Sequence, residues 1–80
     1  MKDSIDLHGK RGDEVEAIID NFLYKVSSTN LKRAKIITGK GSGVVQKIVI
    51  NYLKLAKYQW SYEQLSNGKQ NTGVIIIHLS

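Results

Sequence analysis

Apolar and polar positions alternate along Ile5-Asp6-Leu7-His8, the period of a short half-buried strand, and Gly9 to Gly12 read as the loop after it. Asp13 with Glu16 three residues later has the form of a capping box and opens a helix. Val15, Ile18, Ile19, Phe22, Leu23 and Val26 then recur at helical spacing as its buried stripe. Ser27-Ser28-Thr29-Asn30 interrupts that pattern as a polar turn. Lys35-Ile36-Ile37-Thr38 follows as a second strand, and Gly39-Lys40-Gly41-Ser42-Gly43 is too glycine-rich for either regular structure. Val45, Ile48, Val49, Tyr52, Leu53 and Ala56 predict a second amphipathic helix, with Lys47, Lys54 and Lys57 on one flank and Ile50 among them as an unexplained apolar residue.

Two further strands complete the pattern. Tyr58 to Leu65 alternates, placing Tyr58, Trp60 and Tyr62 on one side and Gln59, Ser61 and Glu63 on the other. A polar loop from Ser66 to Gly73 leads to the β-branched run Val74 to Leu79. The expected fold is therefore a β-α-β-α-β-β α/β (α+β) two-layer sandwich with a four-stranded mixed sheet. Its first strands are parallel through helical crossovers, and its last two form an antiparallel hairpin.

With 80 residues the chain has room for one domain, spanning residues 1–80. No apolar run approaches the roughly 18 residues of a membrane span, and acids occupy the place of a signal peptide's apolar region. The absence of cysteine excludes disulfides and thiolate metal sites, and all these features together fit a cytoplasmic setting. Charge changes the picture further. Residues 1–20 hold six acids against three bases, whereas residues 21–80 hold nine bases against Glu63 alone, within a net charge of +5. Part of the acidity suits the positive end of the first helix. The basic remainder favours polyanions, although a solvated surface would read the same way.

Two features could carry chemistry. The alternating glycines 39, 41 and 43 allow backbone N–H groups to point outward just before a helix start, where an anion is favoured, with Lys40 and Lys47 beside it. The spacing fits neither the Walker A pattern nor the dinucleotide fingerprint, so a backbone phosphate of DNA or RNA is the natural anion. The bland alternative is a plain strand-to-helix turn. Asp6 and His8, at i and i+2 of one strand, would stand side by side at the strand's C-terminal end. His8 could act as general base oriented by Asp6, or both could hold one divalent cation; two polar residues on a short strand are also common without function.

Ile5-Asp6-Leu7-His8-Gly9, the helix segment Ile19-Asp20-Asn21-Phe22-Leu23, Ile36-Ile37-Thr38-Gly39-Lys40-Gly41-Ser42-Gly43 and Asn71-Thr72-Gly73-Val74-Ile75-Ile76 together resemble a small MutS-related (Smr) domain, in the right order over nearly the whole chain. The resemblance implies a two-layer sandwich that binds DNA or RNA, including structured or branched forms. It also implies endonuclease activity, nicking DNA or cleaving RNA, in some members. Such domains stand alone or form part of a larger chain, an ATPase-containing MutS-like protein among them. Carried over by position, Asp6 and His8 match the motif to which cleavage is attributed. Thr38 stands where most members have His, which keeps a hydroxyl but removes a proton shuttle.

These readings give Asp6, His8, Thr38 and Lys40 as candidate catalytic residues. Lys10, Arg11, Lys32, Arg33, Gly39, Lys40, Gly41, Ser42, Gly43 and Lys47 are the candidate nucleic-acid contacts, with Lys54 as a further phosphate contact. Mg or Mn is a conceivable cofactor, with no metal ligands assigned. Cleavage is favoured over the alternative, a non-catalytic module that targets a larger MutS-like or ribosome-associated protein. A third idea places Tyr58, Trp60 and Tyr62 on an open sheet face for base stacking or partner binding, against the plainer reading that they are core.

Overall fold

The computed structural model describes residues 3–41 and 43–79. The elements are β1 (Ser4–Asp6), α1 (Gly12–Ser27), β2 (Arg33–Ile37), α2 (Val44–Leu55), β3 (Gln59–Gln64) and β4 (Gln70–His78), in the expected β-α-β-α-β-β order. The sheet order is β1-β2-β4-β3. β1 runs parallel to β2, while β4 is antiparallel to both β2 and β3. The crossover through α2 therefore skips one position, and the last strand fills the gap at the centre of the sheet.

Both helices cover one face. Val15, Ile19, Phe22, Leu23 and Val26 of α1 and Val49 and Leu53 of α2 form one apolar cluster with Leu7, Ala34, Ile36, Ile75 and Ile77. In the ladder, Ile36 pairs with Ile75, Tyr62 with Ile75 and Trp60 with Ile77, so the two aromatic residues of β3 share the helix-covered face. They pack edge to face at 5.2 Å, half-buried against the core. A stacking stripe on the open face is thereby corrected to the core reading. The open face instead carries Arg33, Lys35, Ser61, Glu63, Ile76 and His78 over a hollow of about 450 Å³. There Lys35 pairs with Glu63 at 3.0 Å, and Ser61 meets His78 Nε2 at 3.0 Å.

Several boundaries differ from the sequence pattern for physical reasons. β1 ends at Asp6, so His8 lies beyond it in a turn closed by the Lys10 N–H on the Leu7 carbonyl at 3.1 Å. Helix α1 starts at Gly12 with Arg11 as N-cap residue, and Glu14, not Glu16, reaches back to the Arg11 N–H at 3.1 Å. Ala56 is exposed because α2 ends at Leu55. β4 begins at Gln70, since the polar segment before Val74 still pairs with β3. Between the pairs Tyr62–Ile75 and Glu63–Asn71 the register shifts, leaving Thr72, Gly73 and Val74 of β4 without partners on β3.

Candidate functional site

The C-terminal ends of β1 and β2 lie side by side, with Asp6 opposite Ile37. The chain leaving each strand forms one wall of a shallow concavity of about 380 Å³. His8, Gly9, Lys10, Thr38, Gly39, Lys40, Gly41 and Gly43 line it, together with Val44, Val45 and Gln46 from the first turn of α2. The two anticipated features thus form one site. Ser42, also anticipated there, lies outside the described residues.

Asp6 and His8 are adjacent through a turn rather than through a strand pleat. Asp6 Oδ1 accepts the His8 backbone N–H at 3.0 Å and His8 Nδ1 at 2.6 Å. These two bonds, the side-chain one first, hold the Asp6 carboxyl below its ordinary range. An ionised Asp6 can only accept, so Nδ1 of a neutral His8 carries the proton and Nε2 keeps the lone pair. The His8 side chain is 70% exposed, which leaves that nitrogen open to solvent and ligand.

The glycine loop is held from behind. The Thr38 and Gly39 N–H groups both donate to the Gly73 carbonyl, at 2.8 and 3.1 Å. The Thr38 hydroxyl lies 3.3 Å from the same oxygen and 3.2 Å from the Gly39 carbonyl, and the residue is only 6% exposed. Thr38 therefore faces inward as an anchor of the loop. Gly39 adopts φ +76°, and a β-carbon there would meet the His8 β-carbon at 3.2 Å. The loop approaches the His8 turn this closely because residue 39 has no side chain.

Supporting residues that the sequence pattern did not single out hold the β4 bulge. The Gly73 N–H donates to Asn71 Oδ1, Asn71 Nδ2 to Glu63 Oε1, and Gln46 Nε2 to the Thr72 carbonyl at 2.7 Å. Lys35 and Asn71, in that order, keep the Glu63 carboxyl below its usual range. The only local signal was Asn71-Thr72-Gly73, a turn-forming triplet inside a run otherwise read as loop.

The two helix starts differ. The first turn of α1 carries Asp13 and Glu14, whereas α2 follows Gly43 at φ +83° and has no acid in its first turn. The positive end of α2 thus faces the concavity without a neutralising carboxylate. None of the ion pairs among the described residues involves Lys10, Lys40 or Lys47.

The other anticipated contacts are dispersed. Arg11 makes a two-pronged pair with Asp13, at 3.2 and 2.9 Å, where α1 begins. Lys47 lines a neighbouring groove on the outer side of α2. Lys32 and Arg33 sit at the start of β2, a strand length of about 16 Å from the glycine loop. Among the described residues no three His, Asp, Glu or Cys side chains gather as a metal-binding group, so Asp6 and His8 would offer a cation two donors at most.

Comparison with known proteins places this geometry. The family model described as the Smr domain matches residues 5–80. Proteins named Endonuclease MutS2 from Caldicellulosiruptor bescii and Staphylococcus saprophyticus are 32% and 34% identical over 95% and 99% of the chain. The chain spans about a tenth of the length of these curated relatives. Among solved structures, the Smr domain of Thermus thermophilus MutS2 superimposes with a TM-score of 0.80 at 24% identity, covering 100% of this chain and 99% of that one. The SMR domain of NEDD4-binding protein 2 gives 0.76 at 21% identity, covering 100% and 88%. Both structures share the fold described above.

Proposed function

The chain belongs to the Smr domain family, and from that premise we propose that it binds the phosphodiester backbone of DNA or RNA in the concavity and cuts it. The observation that carries this reading is the exposed Asp6–His8 pair, joined at 2.6 Å, on the rim of a hollow walled by glycine-loop backbone and the start of α2, whose first turn holds no acid. The relatives named endonucleases agree with it.

In this reading Asp6 fixes the His8 ring, and Nε2 takes the proton from the attacking group, which is water or, in RNA, the substrate's own 2′-hydroxyl. Charge gathers on the phosphate oxygens as the new P–O bond forms, and Lys40, the loop amides and the positive end of α2 stabilise it. The P–O bond to the leaving oxygen then breaks, and that oxygen takes its proton from water. Thr38 contributes through the loop that it anchors. A Mg or Mn ion would be held by the Asp6 carboxylate, leaving His8 Nε2 as the base, and would supply Lewis-acid assistance at the phosphate.

A second reading has a specific observation behind it. His8 is the only histidine lining the hollow, and the Thr38 hydroxyl is committed to backbone carbonyls, so no second imidazole is there to protonate the leaving oxygen. A module that binds without cutting, and anchors a longer protein on nucleic acid, would have this composition.

The test is a cleavage assay on supercoiled plasmid and structured RNA, with Mg²⁺, Mn²⁺ or chelator, alongside a binding assay. Cutting lost in both Asp6→Ala and His8→Ala, with binding retained, is the expected result. Tight binding with no cutting under any condition would leave the anchoring role. Survival of cleavage in chelator would remove the metal.

A further inference from the structure

A second groove begins where the concavity ends. Val44, Val45 and Gln46 line the concavity, and the next residue, Lys47, lines a shallow open groove of about 520 Å³ with Ile48, Ile50, Asn51 and Lys54 of α2 and Glu16 of α1. Lys47 and Lys54 stand two helical turns apart, about 10.5 Å along the axis. That separation lets the two ammonium groups reach different phosphates of one strand. Ile50, half-buried against the apolar core, also lines this groove between them.

The two helices flanking this groove have opposite character. Asp13, Glu14, Glu16 and Asp20 are exposed on α1, whereas the exposed charges of α2 are Lys47 and Lys54. A polyanion is repelled from the first and drawn to the second. The basic run ends at Lys57, whose φ of 63° makes it the one non-glycine residue among those described in the left-handed region. It follows α2 where the Tyr58 N–H closes on the Leu53 carbonyl at 2.9 Å, a position that selects glycine. A lysine there keeps a third cation beyond Lys47 and Lys54 despite the unfavourable backbone.

We infer that the outer flank of α2 is the track along which the nucleic-acid backbone leaves the concavity, with Lys47, Lys54 and Lys57 as successive phosphate contacts and Ile50 against the sugars between them. This rests on the nucleic-acid reading above and adds a direction to it. The strand follows α2 and does not cross the sheet to Lys32 and Arg33, which lie at the far end of β2.

Counterion release makes the prediction quantitative, because each phosphate contact contributes about −0.9 to the slope of log affinity against log salt on a duplex and about −0.7 on a single strand. Binding of duplex DNA and of structured RNA is measured by fluorescence anisotropy over a range of salt. The proteins are wild type, Lys54→Ala, the Lys47→Ala/Lys54→Ala double variant, Lys32→Ala beside β2 and, as a control for net charge, Lys25→Ala on the last turn of α1. Circular dichroism checks that each is folded. The expected slope is shallower by about one for Lys54→Ala and about two for the double variant, with Lys25→Ala unchanged. Between about 0.05 and 0.2 M salt the double variant should then lose roughly tenfold less affinity than wild type. An unchanged slope in the folded double variant overturns the track, as does a slope that falls for Lys32→Ala instead. In either case wild-type binding keeps the functional reading intact, whereas a wild type that binds neither nucleic acid at any salt removes both.

Discussion

Gly39, Gly41 and Gly43 occupy one loop but differ in what a methyl group would meet, which separates backbone strain from contact with the site. Gly43 has φ +83° and open space around its missing β-carbon, so alanine there bears the left-handed conformation alone. That strain costs about 1–2 kcal/mol, offset in part by the stiffer unfolded chain, for a net loss near ~1 kcal/mol. Gly39 has φ +76° and adds the 3.2 Å approach to the His8 β-carbon. The atom it meets is fixed to backbone, so the His8 turn must shift, which raises the cost to about 2–4 kcal/mol. Gly41 lies outside the left-handed region and has nothing within 4 Å, so alanine should change stability by less than ~0.5 kcal/mol. Urea unfolding followed by the half-buried Trp60 measures all three. For a domain of this size ~1 kcal/mol corresponds to a shift in Tm of about 4–8 °C. On the proposed function, cleavage and binding should fall in Gly39→Ala well beyond the drop in Gly43→Ala, because only the former displaces His8. Equal stability losses at residues 39 and 43 would refute the close approach of the two loops.

Other consequences can be checked as directly. Lys57→Gly relieves the left-handed lysine and should stabilise the fold by about 0.5–1 kcal/mol, while binding weakens if the α2 track is correct; a destabilised variant would contradict the backbone argument. Leu53 is fully buried, so Leu53→Ala should cost about 2–5 kcal/mol in the same urea assay, and a loss under 1 kcal/mol would deny it a place in the core. The Tyr52 hydroxyl donates to Asp20 at 2.6 Å, and this bond with burial pushes its pKa up to about 12. The neutral phenol is the favoured form in the fold, so its contribution is complete below pH 10 and is lost as pH rises towards about 12. Ultraviolet titration should show a late tyrosinate phase that Tyr52→Phe removes. Asp6 and Glu63 have the opposite sign: their lowered pKa values favour the fold above 3.8 and 4.5, and that stabilisation disappears as acid is added. Acid unfolding of Glu63→Gln should accordingly be flatter than that of wild type across this range.

Periodicity made the elements and their faces legible, because apolar spacing reports directly on which side of a helix or strand is buried. The pairing of Asp6 with His8 was also readable, although the cause is a turn and not the pleat. What local pattern could not reveal is pairing over distance. Nothing around Val74 to Leu79 says that this run enters between β2 and β3 and not at the sheet's edge. The β4 bulge was likewise hidden, since Thr72 and Gly73 are held by hydrogen bonds to Gln46, Asn71, Thr38 and Gly39, with Asn71 in turn bonded to Glu63, residues scattered along the chain. Thr38 shows the same limit. Its hydroxyl reads as available chemistry in one dimension and as a loop anchor in three.

The position of β4 has a consequence for when the site comes into existence. It is the last element of the domain in chain order, yet it lies between β2 and β3 and supplies the Gly73 carbonyl that fastens the glycine loop. During synthesis the Asp6–His8 turn, the loop and α2 all emerge before the strand that holds them in register. Until β4 inserts, β2 and β3 have no shared partner, and the loop amides at Thr38 and Gly39 lack their acceptor. A ribosome-bound intermediate ending before Gln70 would therefore carry every charged side chain of the site without its geometry. The proposed phosphate recognition should switch on only with the long-range pairing that completes the fold.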